Sequence, residues 1–276
     1  MPIACLPWYA MPETEPAQDA LWAAIARHLR CAGIDAPTHL ARDVPVPGIF
    51  CDPELLLAQC CGYDIVYGFA GTLTPVATPC YAAAGCEGPT YRSFVLVRDN
   101  SPATALADLR GATVAVNSFN SHSGVNALRS LIAPLAEDGR FFRSVRVTGA
   151  HRASLALLLK GEAAVMAMDC VLHALLTVHR PAALAGTRIL AETASAPAPP
   201  LVTAAAVGAE RADRMREALL AAMADPDSAE PRAALQIAGL EPLPPAAYRS
   251  IVEIEAEALR HGYFELHATS PIIAKG

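Results

Sequence analysis

Strands and helices alternate with a regular spacing in the middle of the chain, and this alternation constrains the fold more than any other feature. Short apolar segments typical of strands recur between residues 113 and 191, and segments with helical periodicity separate them. Such an order requires crossover connections between parallel strands, which are right-handed in almost all proteins. The sequence therefore predicts an α/β fold in which each sheet is mainly parallel and is flanked by helices.

Similar patterns extend towards both ends of the chain. We expect a strand at Ile3–Leu6 and a helix at Asp19–Cys31. A second helix is predicted at Glu54–Cys61, because an Asp-Pro pair typical of helix starts precedes it. Asp64–Tyr67 is predicted to be a buried strand, and the proline-rich stretch Ala194–Pro200 a connector. The chain after this connector is predicted to be mostly helical.

Two extended segments, 93–97 and 201–203, flank the regular block and suggest that the chain crosses twice between two lobes. We expect lobe one to comprise residues 1–96 plus 202–276. Lobe two would be an inserted block of residues 97–201. Because ligands of open parallel sheets bind beyond the carboxyl ends of the strands, candidate site residues should directly follow strands.

Polar residues do follow three of the strands predicted in lobe two, each time at the start of a helix. Hydroxyl groups and a small glycine at a helix start can hold an anion, because the backbone N–H groups and the helix dipole favour negative charge there. The alternative is that these residues only cap helices or pack beside them. The candidate ligand-binding residues in this position are Asn117, Ser121, His122, Ser123, Gly124, His151 and Asp169.

Two aromatic residues follow predicted strands of lobe one. Tyr9 and Tyr67 could place their ring edges along the same ligand-binding cleft. The alternative is that both rings belong to the core of lobe one, each with its hydroxyl group satisfied.

Composition and missing motifs exclude several classes of protein. Of the 276 residues, 53% are hydrophobic and 17% charged, so the chain can bury a large core and is not intrinsically disordered. A net charge of −6 argues against nucleic acid or an anionic membrane as a partner. No C-x-x-C pair occurs among the eight cysteines, and the nucleotide-binding, esterase and zinc-protease motifs are absent. We therefore predict no cofactor, no metal site and no catalytic residues.

Five segments, in order, resemble one family of binding proteins. They read DIVYGFAGTLTP (64–75), TYRSFVLVRDNSPATALADLRGATVAVN (90–117), SFNSHSGVNALR (118–129), TGAHRASLALLLKGEAAVMAMD (148–169) and ASAPAPPLVT (194–203). The chain is similar through these segments to the phosphate, phosphite and phosphonate substrate-binding proteins of ABC transporters. That resemblance implies a periplasmic-binding-protein type 2 fold with two lobes and two hinge crossovers.

The resemblance also implies roles for individual residues. Ser121, Ser123 and Gly124 would hold the oxygens of the anion, and His151 matches the family's histidine in the second turn. Asp169 and Tyr67 match a polar and an aromatic position of the family. His122 stands where the family has a threonine, and this difference changes the size and charge of the cradle.

The predicted function is the capture of a small anionic or zwitterionic ligand, such as a phosphonate or phosphate, between two hinged lobes for ABC-type import. The partners would be that ligand and an ABC transporter permease, with no nucleic acid and no insertion into a membrane. A second hypothesis is a cytoplasmic enzyme on the same fold that uses His122, His151, Asp169 and Cys170, and a third is a sensory binding module. The family role implies a periplasmic location, but the sequence has no recognisable signal peptide, so a cytoplasmic location is the alternative.

Overall fold

The computed structural model describes residues 1–264 and residue 266, and the chain divides into two compact units. The first unit comprises Met1–Thr90 and Pro197–Tyr248. The second comprises Tyr91–Ala196 together with the described residues from Arg249 onward. Each unit is therefore built from two separate stretches of the chain.

The strands and helices are numbered here in chain order. The strands are β1 (Ile3–Cys5), β2 (Leu55–Gln59), β3 (Leu73–Tyr81), β4 (Thr90–Tyr91), β5 (Ser93–Arg98), β6 (Thr113–Val116), β7 (Ser144–Val147), β8 (Val165–Asp169), β9 (Thr187–Glu192), β10 (Ala196–Pro197), β11 (Leu201–Ala204) and β12 (Ile237–Glu241). The α-helices are α1 (Glu15–Cys31), α2 (Ala127–Ile132), α3 (His151–Lys160), α4 (Cys170–His179), α5 (Pro181–Leu184), α6 (Ala209–Ala224), α7 (Ala229–Ala234) and α8 (Arg249–Arg260). Two π-helical turns lie at Asp64–Gly68 and His122–Asn126.

The sheet of the first unit has the strand order β1-β2-β11-β3-β12. β1 and β2 are parallel, whereas β11 pairs antiparallel with both β2 and β3, and β12 pairs antiparallel with β3. The apolar face of α1, with Trp22, Ile25 and Leu29, packs in one core with Met215 and Leu219 of α6. This core is continuous with buried side chains of β2 and β3, so the two helices cover the sheet.

The sheet of the second unit has the order β7-β6-β8-β5-β9. β6 is parallel to both β7 and β8, and β5 runs antiparallel to β8 and β9. Both sheets are thus mixed, because β11 and β5 run against their neighbours in them. Val114 and Val116 of β6 pack against Leu128 and Ile132 of α2 in the core of this unit.

Two of the predicted elements were wrong. Glu54–Cys61 contains strand β2 rather than a helix, and all five strand residues are buried between β1 and β11. A short, mostly apolar run does not distinguish a central strand from a buried helix, and the Asp-Pro pair before it wrongly favoured the helix. The predicted strand at Asp64–Tyr67 is a π-helical turn, in which the Asp64 carboxylate accepts a hydrogen bond from the Cys61 N–H at 3.3 Å.

The boundaries of the units differ from the expected lobes at three places. Residues 91–96 fall in the second unit, where β5 pairs with β8 and β9. Residues 197–201 fall in the first unit. The largest difference is α8, which was expected in lobe one. Ala258 of this helix, together with Tyr263 and Leu266, is buried in the core of the second unit.

Further features of the described residues bear on function. The helices among them are too short or too polar to cross a membrane. All eight cysteines are free thiols. Within residues 1–264 and 266, no three histidine, cysteine or acidic side chains lie close enough together to hold a metal ion.

Candidate functional site

Three helical segments begin at one edge of the sheet in the second unit. β6, β7 and β8 are adjacent and parallel, so their carboxyl ends lie at the same edge. The turn His122–Asn126 with α2 follows β6, α3 follows β7, and α4 follows β8. Because the start of a helix carries partial positive charge and free N–H groups, this edge is suited to an anion. We call it the helix-start edge.

The first turn of this edge is closed by Ser121. The Ser121 Oγ accepts a hydrogen bond from the Gly124 N–H at 3.0 Å, and the Ser121 carbonyl accepts one from the Asn126 N–H at 3.0 Å. Helix geometry leaves the N–H groups of His122 and Ser123 without an acceptor inside the turn. These two N–H groups are therefore the candidates in this turn for an external oxygen, whereas the Gly124 N–H is already bonded.

Gly124 is required by close packing at this edge. A Cβ atom at this position would collide with the Oδ1 atom of Asn117 and would lie 3.1 Å from the Cε1 atom of His151. The Asn117 Oδ1 is buried and has no hydrogen-bond partner among the described residues. Gly124 therefore allows Asn117 and His151 to approach the same turn.

His151 connects the first two turns of the helix-start edge. Its Nδ1 lies 3.1 Å from the carbonyl of Ala167, which only accepts hydrogen bonds, so this nitrogen carries the proton. Its Nε2 lies 3.1 Å from the Ser123 Oγ and accepts the hydroxyl proton. Burial lowers the pKa of His151 below its usual value, although the Asp169 carboxylate and the Ala167 carbonyl oppose this shift. The ring is therefore neutral at pH 7.

Asp169, the last residue of β8, is a further polar side chain of the helix-start edge next to Ser123 and His151. Its Oδ1 accepts a hydrogen bond from the Leu172 N–H at 2.8 Å and so caps α4. Its Oδ2 lies 3.8 Å from the Nε2 of His151. Because His151 is neutral, this contact is not an ion pair at pH 7. Asp169 thus adds a negative charge and a hydrogen-bond acceptor to an edge that otherwise offers donors.

Ser123, His151 and Asp169 superficially resemble a catalytic triad, but the connections differ. In a triad the carboxylate orients the imidazole through the nitrogen opposite to the one that faces the serine. Here a backbone carbonyl occupies Nδ1, and the carboxylate lies on the same side as the serine hydroxyl. Cys170, the candidate nucleophile of the enzyme hypothesis, is completely buried. The geometry therefore resembles a hydrogen-bonding site more than a catalytic one.

His122 differs from the other candidates because its side chain belongs to the interior of the second unit. The residue is only 2% exposed, and its Nδ1 lies 3.2 Å from the Nδ2 of Asn126. Its ring centroid is 6.1 Å from that of Tyr91. Burial, with a further contribution from the Arg129 charge, lowers the pKa of His122 to about 4. The imidazole therefore adds no positive charge at neutral pH, and only its backbone N–H takes part in the helix-start edge.

The two candidate tyrosines lie in the first unit. Tyr67 is 43% exposed on the π-helical turn, and its ring centroid is 4.5 Å from that of Tyr63. Tyr9 has a positive φ of 62° and presents its ring edge-on to Tyr81 at 5.6 Å. The structure therefore gathers the candidates Asn117, Ser121, Ser123, Gly124, His151 and Asp169 at one edge, and it places the two tyrosines in the other unit.

Sequence reasoning missed two groups with unusual environments. Asp64, in the π-helical turn of the first unit, is desolvated, and this burial raises its pKa to about 6. In the second unit, Asn126, Arg129 and Glu255 form a buried network next to His122. The spacing of Asn126 four residues after His122 was a usable signal for a side-chain contact, whereas nothing in the sequence links Glu255 to this turn.

Residues 69–248 match the model of a family described as ABC transporter, phosphonate, periplasmic substrate-binding protein. No curated protein matches the chain.

Three solved structures resemble the chain along nearly its whole length. A binding-protein component of an ABC phosphonate transporter from Pseudomonas aeruginosa has a TM-score of 0.74 at 15% identity and covers 98% of this chain and 91% of its own. PhnD1 from Prochlorococcus marinus, in complex with methylphosphonate, has a TM-score of 0.73 at 12% identity, with 94% and 98% covered. XAC2383 from Xanthomonas citri, bound to ATP, has a TM-score of 0.69 at 19% identity, with 95% and 98% covered.

At these identities the structural likeness establishes the fold alone. It confirms the predicted α/β two-lobed periplasmic-binding-protein fold. The family model matches well over half of the chain and confirms the predicted resemblance, because it covers four of the five segments on which that prediction rested and part of the other. The chain belongs to the family of periplasmic substrate-binding proteins of phosphonate ABC transporters.

Proposed function

We propose that the chain binds the oxyanion end of a phosphonate-like ligand at the helix-start edge of the second unit. The N–H groups of His122 and Ser123 would contact the ligand oxygens. The Ser123 hydroxyl, which donates to His151 in the free protein, would rotate to donate to a ligand oxygen instead when the ligand binds. The observation that carries the proposal is the convergence of three helix starts on the hydrogen-bonded pair Ser123 and His151.

The absence of a cationic side chain among the six clustered candidates is compatible with this role. Fixed N–H and O–H donors replace the hydration of an anion without a full opposing charge, so they bind it and still allow it to leave. XAC2383 was solved with ATP and PhnD1 with methylphosphonate, and both of these ligands carry phosphorus oxyanions. These neighbours support phosphorus oxyanions as the first ligands to test.

Asp169 supports a further distinction among oxyanions. A carboxylate oxygen close to the ligand repels a fully ionised oxyanion but accepts a hydrogen bond from one that keeps a proton. A phosphonate monoanion carries such a proton, and a sulfonate does not. We therefore expect methylphosphonate to bind and methanesulfonate, which has a similar shape, to bind at least ten times more weakly.

The direct test is thermal unfolding with a panel of phosphonates, phosphite, phosphate, ATP and small carboxylates. A cognate ligand at a hundredfold excess over its Kd should raise the free energy of unfolding by about 2.7 kcal/mol. No shift with any phosphorus oxyanion would contradict the proposal.

Ser123→Ala tests the location of the site. We expect this variant to fold, because the Ser123 hydroxyl bonds to His151 and not to the main chain of the turn. It should lose most of the ligand-induced shift, because it lacks the hydroxyl assigned to the ligand. Ser121→Ala is less informative, since it also removes the cap of the turn. Ser144→Ala, an exposed serine on β7 of the same unit, is the matched control and should keep the full shift.

The family role also leads us to propose that the ligand is delivered unchanged to an ABC-type importer outside the cytoplasmic membrane. Mass spectrometry of the ligand after prolonged incubation with the protein tests whether the ligand is left unchanged. Recovery of intact ligand is expected. A protein-dependent product would instead favour the enzyme hypothesis.

A further inference from the structure

A buried chain of hydrogen bonds links helix α8 to the turn that forms the helix-start edge. We propose that Asn126, Arg129 and Glu255 are positioning residues, which hold the turn 121–124 in its ligand-binding conformation without touching the ligand. This inference rests on the proposed function for its effect on affinity, but the network itself can be tested separately.

The three side chains are almost completely buried. Asn126 and Arg129 are each 1% exposed and Glu255 is 4% exposed. The Arg129 Nη2 lies 2.8 Å from the Glu255 Oε1 and donates to the Asn126 Oδ1 at 2.7 Å. The Arg129 Nη1 also donates to the Leu266 carbonyl at 3.2 Å. Glu255 thus supplies the opposite charge that a buried guanidinium requires.

Asn126 transmits this arrangement to the turn. Its Nδ2 donates to the Ile251 carbonyl at 3.0 Å and lies 3.2 Å from the Nδ1 of His122. Both amide protons and the amide oxygen are therefore used, so the side chain has one possible orientation. Its backbone N–H also bonds to the Ser121 carbonyl at 3.0 Å. Asn126 thus holds both the Ser121 carbonyl at the start of the turn and the imidazole ring of His122.

The network dictates the tautomer of His122. Because Asn126 donates to Nδ1, the ring proton must be on Nε2. His122 also contributes one of the backbone N–H groups assigned to the ligand. A change in the position of Asn126 therefore has two consequences, a change in the tautomer of His122 and a displacement of that N–H group.

Glu255→Gln is the informative variant, because it keeps the shape of the side chain and removes its charge. Arg129 then lacks a counter-charge and is free to move away from Asn126. We expect His122 to lose its single Nε2–H tautomer in a nitrogen-15 histidine spectrum. We also expect methylphosphonate to bind at least tenfold more weakly by calorimetry.

Glu253→Gln, an exposed position on the same helix, is the matched control and should change neither readout. Leu109→Ala controls for general loss of stability, because Leu109 lies in the core of the second unit but before the amino end of β6, whereas the turn follows the carboxyl end of that strand. If Glu255→Gln does not fold, Asn126→Ala replaces it, since that variant leaves the ion pair of Arg129 and Glu255 in place.

The proposal is overturned if the folded variant keeps both the wild-type tautomer and an affinity within twofold of wild type. It is also overturned if Leu109→Ala loses as much stability as Glu255→Gln and weakens methylphosphonate binding by the same factor. If the wild-type chain binds no methylphosphonate, the proposed function is in doubt. The tautomer of His122 then tests, without any ligand, whether the network holds the His122 ring. An unchanged tautomer in both Glu255→Gln and Asn126→Ala would overturn the proposal.

Discussion

At the scale of single residues, Gly124 has no room for a side chain. A methyl group there would collide with the Asn117 Oδ1 and press on the His151 ring. Gly124→Ala should therefore destabilise the protein by about 1–3 kcal/mol, as expected for overpacking, and should weaken ligand binding. Urea unfolding measures the first effect. Gly239→Ala, where an added Cβ has no neighbour within 4 Å, should be close to neutral, and equal losses in both variants would contradict this account.

His122 should make stability depend on pH. Burial lowers its pKa from the usual 6.5 to about 4, so between these values the unfolded chain binds a proton that the folded chain does not. The free energy of unfolding should fall as the pH falls from about 6.5 to 4, and His122 accounts for about 3 kcal/mol of this loss.

Replacement of His122 tests how much of the pH dependence of stability comes from this residue. In His122→Gln, urea unfolding at pH 7 and pH 4.5 should give a smaller difference in free energy than in the wild type. The buried His151 contributes with the same sign, so part of the pH dependence should remain. His39→Gln, at an exposed position, is the control. An unchanged pH dependence in His122→Gln would show that His122 is not the buried neutral group described here.

At the scale of elements, Asp169 joins the end of β8 to the start of α4. Its carboxylate accepts the Leu172 N–H at 2.8 Å, so Asp169→Ala should lose about 1 kcal/mol of stability. Asp169→Asn keeps an oxygen for the cap and should lose much less. Thermal unfolding of both variants measures the difference. Equal losses would mean that the charge of Asp169, rather than its role as a cap, stabilises the fold.

The elements also indicate what the sequence could predict. The strand and helix order from β6 to α4 was predictable, because apolar segments and glycine stops follow one another at regular spacing. That order was enough to place Ser123 and His151 at one sheet edge. β2 was not predictable as a strand, since its side chains are buried on both faces and show no alternation.

The orientation of His122 could not be predicted from α-helical spacing for a different reason. His122–Asn126 is a π-helical turn, which holds one residue more per hydrogen-bonded ring than an α-helix. His122 begins this turn, so its side chain is rotated relative to those of α2 by more than α-helical spacing predicts. The contact with Asn126, four residues later, is the local clue that remained.

At the scale of the whole molecule, the assignment of α8 to the second unit is the main difference from the sequence prediction. The helix itself was expected, but its partner Arg129 lies 126 residues earlier in the chain. No local pattern encodes a pair at such a distance. The low share of charged residues, 17%, is consistent with a protein that binds an anion through helix starts and hydroxyl groups.

Amide NMR tests most directly whether the oxyanion binds at the helix-start edge. On titration with methylphosphonate, the N–H resonances of His122 and Ser123 should move furthest, followed by those near His151 at the start of α3. The shifts should saturate with the same Kd that calorimetry gives, and Ser123→Ala should suppress them. Saturable shifts confined to residues away from the helix-start edge, with none at His122 and Ser123, would contradict the account.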